Sequence, residues 1–228
     1  MMRRRATWVA TLMVVALAPG LGAQSTDDSV QQVAATYSAW TEALGEFTKG
    51  IEFDEEDVTA LIERYPEMQS LDLNEAEWSV TDPAQFDNNM RKVLGEPEYR
   101  ACASRNGLDP ENWLRTVARI SSVYMIVSTE RSRPAAEEQR REFEAMVEAQ
   151  CAQSDPETCR SMREALAAGD AMSEALAKAL GKLPPPTAGE RALMDRYYDQ
   201  LTLAMGDDEG SSEEESWENS EEYSDPEE

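Results

Sequence analysis

The sequence predicts an all-α protein, an antiparallel multi-helix bundle followed by a disordered acidic C-terminal tail. Three observations carry this expectation. Apolar side chains recur at intervals of three and four through most of residues 25–205. Aspartate followed by proline, a helix-start signature, stands at Asp82-Pro83, Asp109-Pro110 and Asp155-Pro156. No pair of alternating segments joined by hairpin turn chemistry is present.

The first element is an N-terminal address. Three arginines (Arg3, Arg4, Arg5), a mostly apolar run from Ala6 to Ala18 and small residues up to Ala23 make the three parts of a secretory signal, expected to span residues 1–24. The run is shorter than the ~20 residues a spanning helix needs, and Pro19-Gly20 breaks it. The mature chain is therefore expected to be soluble, in the periplasm or secreted, with residues 25–205 as one helical domain.

Within that domain Val30, Val33, Tyr37, Trp40, Leu44 and Phe47 share one face of a first helix, which Gly50 ends. Asp54 starts a second, with Val58, Leu61, Ile62 and Tyr65 inward, and Pro66 is expected to stop it. Asp82-Pro83 opens a third helix with Phe86, Met90, Val93 and Leu94 inward, and Trp78 lies in the preceding polar stretch. A short segment, Tyr99 to Ala103, follows Gly95 and Pro97 and ends at the Asn106-Gly107 turn.

Asp109-Pro110 then starts the helix expected to be central. Trp113, Val117, Ile120, Tyr124 and Val127 form its main stripe, Leu114, Ala118, Val123 and Met125 widen it, and Arg115 and Arg119 mark an exposed edge. Pro134 is expected to open a separate helix with Phe143, Met146, Val147 and Cys151 inward. Asp155-Pro156 opens another carrying Cys159, Met162 and Leu166, and Gly169-Asp170 separates it from Met172, Leu176 and Leu180. A stiff connector at 183–187 contains three consecutive prolines. Thr187 and Glu190 then form a capping box for a last helix with Leu193, Met194, Tyr197 and Leu201 inward. From Gly206 the periodicity stops, and residues 206–228 are expected to be a disordered acidic tail.

Charge is regional. Residues 25–99 carry 18 acidic and 4 basic groups, residues 100–205 carry 16 and 14, and the tail has 12 acidic groups and no basic one, in a chain of net charge −25. Such a surface repels nucleic acid and favours a cationic protein or peptide as partner. The stretch 100–141 runs the other way, with eight arginines against five acids. One reading is a solvated face with helix salt bridges such as Glu137 with Arg141. The other is a docking surface at Arg115 and Arg119 for an anionic partner, including the chain's own tail through Trp217 and Tyr223.

Histidine is absent, which removes the commonest general base and metal ligand and every Ser/His/Asp triad. No phosphate-binding loop, GxSxG or dinucleotide glycine series appears. The acids at Glu52, Asp54, Glu55, Glu56 and Asp57 lack calcium-loop spacing and suit a helix N-terminus. Of the three cysteines, Cys151 and Cys159 are the expected disulfide, stapling two helix ends, and Cys102 remains as a small buried side chain or a reactive thiol.

Together these point to an exported helical binding or interaction protein without enzymatic activity, with no cofactor and no metal. An alternative is a helical carrier of a small apolar ligand, its cavity lined by Trp40, Trp113, Tyr124, Met90, Met125, Met146, Met162 and Met172. A third is a hydrolase using paired carboxylates.

Overall fold

Seven α-helices and one 3-10 turn, with no strand, make up the residues that the computed structural model describes, 26–69, 71 and 83–205. Residues 1–24, expected to be a signal peptide, Trp78, Asp82 and the tail with Trp217 and Tyr223 lie outside them. The helices are α1 (Thr26–Phe47), α2 (Glu55–Gln69), α3 (Phe86–Gly95), α4 (Pro97–Arg105), α5 (Pro110–Cys151), α6 (Pro156–Leu180) and α7 (Ala188–Met205). The 3-10 turn Pro83–Gln85 leads into α3, so that helix starts three residues later than Asp82-Pro83 implies.

The helix starts follow from local chemistry. Asp54 Oδ1 accepts from the backbone N–H groups of Glu56 and Asp57, satisfying donors that the first turn of α2 leaves open. Asp109 does the same for Asn112 at 2.8 Å, and Asp155 for Glu157 and Thr158 at 3.0 Å each. Two turns need a left-handed residue, and glycine supplies it at Gly50 (φ 73°) and Gly107 (φ 71°).

The N-terminal half of α5 is the centre of the main core. Ile120, Val123 and Val127 of α5, Val58, Leu61 and Tyr65 of α2, and Met194 and Leu201 of α7 form one buried cluster, joined by Tyr99, Trp113 and Val93. Complete burial of each aliphatic side chain contributes about 1.5–3 kcal/mol. On another side of α5, Met125 belongs to a second cluster with Trp40 and Leu44 of α1, Phe86 and Leu183. The wide apolar surface read from the sequence thus serves two cores at once. Trp40, Trp113 and Met125, proposed above as cavity-lining, are packed members of these clusters.

Three expected helix breaks do not occur. Helix α2 runs through Pro66 to Gln69. A proline in a helix forfeits one N–H bond, but the turn beyond it is held from outside. Trp113 Nε1 donates to the Met68 sulfur at 3.3 Å, and Arg105 and Asn106 donate to the Glu67 carboxylate at 2.7 and 3.3 Å.

Helix α5 runs through Pro134 as one helix of 42 residues, and α6 runs through Gly169. The residues around Pro134 are exposed, so water can satisfy the carbonyl that the proline leaves open. Glycine inside a helix costs only about 1 kcal/mol, and next to it Asp170 is tied to Arg140 of α5 at 2.7 Å.

Candidate interaction surface on the arm

Residues Arg131 to Met146 of α5 are all exposed, and beyond them only Val147 is buried. At about 1.5 Å per residue α5 is roughly 63 Å long, and its second half projects from the main core as an arm. Helix α6 returns antiparallel along it. Cys151 and Cys159 lie at the tip with Cα atoms 4.7 Å apart and sulfurs at disulfide distance, 2.09 Å. The Arg163 guanidinium grips the Glu148 carboxylate through two bonds of 3.0 and 2.8 Å, holding that carboxyl below its ordinary range.

Helix α6 also lies against α1, and Glu42 of α1 pairs at 2.9 Å with Lys182, just past the end of α6, whereas direct contact between α1 and α5 is sparse. The arm core is thin. Ala179 is the one residue of α6 that is buried, and Met162, Leu166, Met172 and Leu176 are only half-covered.

The periodicity places Phe143 and Met146 inward, but the structure leaves them 45% and 46% exposed. They stand on a stripe of α5 made of Ser132, Ala136, Gln139, Phe143, Met146 and Gln150. The spacings are 4, 3, 4, 3 and 4, the seam of a helix that packs against another helix. None of the six is charged, and all six are exposed. Residues 29–41 of α1 likewise carry no charge.

The arginines expected to form a docking face have internal partners. Arg119 is almost fully buried. Its Nε and Nη2 donate to the two oxygens of Glu190 at 2.8 and 2.6 Å, and it donates further to the carbonyls of Pro184 and Pro185 at 2.8 and 3.1 Å. The Glu190 carboxylate also accepts from the Thr187 N–H at 2.8 Å, so the expected capping box forms around this ion pair.

Arg115 is half-buried and donates to the carbonyls of Phe47 and Lys49, closing the C-terminal end of α1. Neither is the exposed edge that the sequence suggested. Arg105, Arg131 and Arg140 pair with Glu67, Asp195 and Asp170 on other helices. Arg141 donates to the Glu137 carbonyl rather than to its carboxylate.

The remaining candidates are also accounted for. Glu55, in the acidic cluster, accepts from Arg196 and Tyr197 of α7, which holds its carboxyl below the usual range. Among the described residues no group of acids or cysteines is arranged to hold a metal ion. Cys102 is buried beside Asn106, and desolvation pushes its thiol above the ordinary value. An open depression at the arm tip is lined by Glu148, the two bridging cysteines, Arg160, Arg163 and Glu164, and its charges pair with one another.

The tip makes a local expectation. A closed loop of this size contributes about 2.5 kcal/mol in the chain-entropy model, and here it acts on a segment with little buried surface. Cys151→Ser with Cys159→Ser should accelerate amide hydrogen exchange at 145–165 while leaving α2, α7 and the first half of α5 protected. Equal acceleration throughout would refute the separation of arm from core.

No helix among the described residues is long and apolar enough to cross a membrane. No family model, curated protein or solved structure matches the chain.

Proposed function

We propose that the protein is an exported helical interaction module and that the arm is its docking element. The observation that carries this reading is the uncharged, heptad-spaced stripe Ser132–Gln150, left exposed in a chain of which 29% is charged. A soluble helix ordinarily gives its exposed faces to charge, and a seam of this spacing is complementary to a second helix. Export rests on the N-terminal three-part pattern and accords with a cysteine pair at bonding distance, since disulfides persist in oxidising compartments. The acidic remainder of the chain supplies a preference for cationic partners.

A photo-reactive phenylalanine analogue at Gln139 tests this in the protein's own cells. The expected result is a discrete cross-linked adduct at that position and none when the analogue replaces Leu203, which is 85% exposed on α7. Equal labelling from both positions, or none from either, would remove the arm as the docking element.

A further inference from the structure

The seam on α5 is the continuation of one that is already in use. Ala118 and Met125 stand two heptads and one heptad before Ser132 on the same side of α5, and there they pack with Trp40 and Leu44 of α1. Past that point α1 leans on α6, and the α5 stripe continues for about 27 Å with no helix of the described residues on it. The place that a further helix would take on the arm is therefore set by the protein's own packing.

The stripe is also its own complement. Under an antiparallel two-fold about residue 141, Ser132 faces Gln150, Ala136 faces Met146 and Gln139 faces Phe143 of the other copy. Each shorter side chain meets a longer one, the small-against-large alternation by which facing helices fill space. A two-fold contact must be self-complementary in this way. The charge distribution agrees: residues 131–151 carry four arginines and five glutamates, a balance of −1, whereas residues 25–99 and the tail carry −14 and −12. The arm is thus a place where two copies of so acidic a chain can approach with little repulsion.

Resting on the interaction reading above, we propose that the occupant of the arm stripe is a second copy of this chain. Two arms pair antiparallel along Ser132–Gln150, and the acidic surfaces of both copies stay free for other partners. A seam of this length makes a small interface, so the dissociation constant is expected on the order of micromolar.

The test is sedimentation equilibrium of the purified full chain from about 0.05 to about 100 micromolar, concentrations that bracket that constant. The expected result is a mass rising from one chain to two, with dimerisation tightening as salt is added because repulsion between the acidic remainders is screened. Phe143→Glu should hold the protein at one chain throughout with unchanged helicity, since Phe143 is half-exposed in the monomer, while Leu203→Glu should dimerise like the parent.

A wild type that stays at one chain across the range overturns the proposal, as does a Phe143→Glu variant that dimerises equally. The photo-adduct at Gln139 separates the two readings. An adduct of twice the chain mass supports the dimer. An adduct of another mass together with a monomeric wild type leaves the interaction reading standing and removes the second copy, and no adduct with no dimer removes both.

Discussion

Replacing Arg119 with alanine is expected to lower stability by about 3–5 kcal/mol, because it strands the Glu190 carboxylate in a buried site with no counter-charge. For a domain of this size that corresponds to a fall in thermal midpoint on the order of 10 °C. The loss should exceed that of an ordinary salt-bridge deletion, since one guanidinium here serves four acceptors: two carboxylate oxygens and the carbonyls of Pro184 and Pro185. The double replacement Arg119→Met with Glu190→Met should recover much of the loss, because removing both charges removes the desolvation problem along with the attraction. Urea unfolding of the three proteins decides the matter. A loss below about 1 kcal/mol in the single variant would place the pair in water, where such bridges contribute little.

The adjacent residue tests the other side of the same helix. Ile120 is completely buried among the side chains of α2, α5 and α7, so Ile120→Ala is expected to cost about 2–5 kcal/mol through lost transfer energy and an unfilled cavity. The same truncation on the arm, Phe143→Ala, removes a larger side chain but one with 45% of its surface in water. It should cost well under half as much in the isolated chain. Denaturant midpoints measured under identical conditions give the comparison directly. Similar costs at the two positions would mean that the arm and the core unfold as one unit with equal packing.

That contrast shows where sequence reasoning reached and where it stopped. Spacing correctly identified which residues of α5 share a face, including the broad surface around Ile120 that two clusters divide. It could not say whether anything covers a face, and so Phe143 and Met146 read as inward. Capping chemistry located the starts at Asp54, Asp109, Asp155 and Thr187 because each depends on bonds within four residues.

Pro66, Pro134 and Gly169 misled for the converse reason. Their local penalties are real, but contacts from distant residues hold the helix beyond Pro66, and an Arg140 tie spans the α5–α6 hairpin next to Gly169. Arg119 read as exposed because its partner is 71 residues away. A partial signal for its burial was present, since three of its four helix-face neighbours, Thr116, Ser122 and Val123, are small or apolar, although the fourth is Arg115. The uncharged stripe went unread because eight charged residues are interleaved with it between Ser132 and Gln150, and it emerges only when the heptad positions are taken alone.

The distance between Arg119 and Glu190 also bears on how the chain reaches this structure. Synthesis runs from the N-terminus, so the guanidinium appears 71 residues before its carboxylate, a delay of about 4–14 s at ordinary elongation rates. During that interval α5 can form but cannot bury the face that carries Arg119 without stranding a charge. The last helix therefore completes the core rather than decorating it. Until α7 is made, the guanidinium of α5 has no counter-charge to bury against.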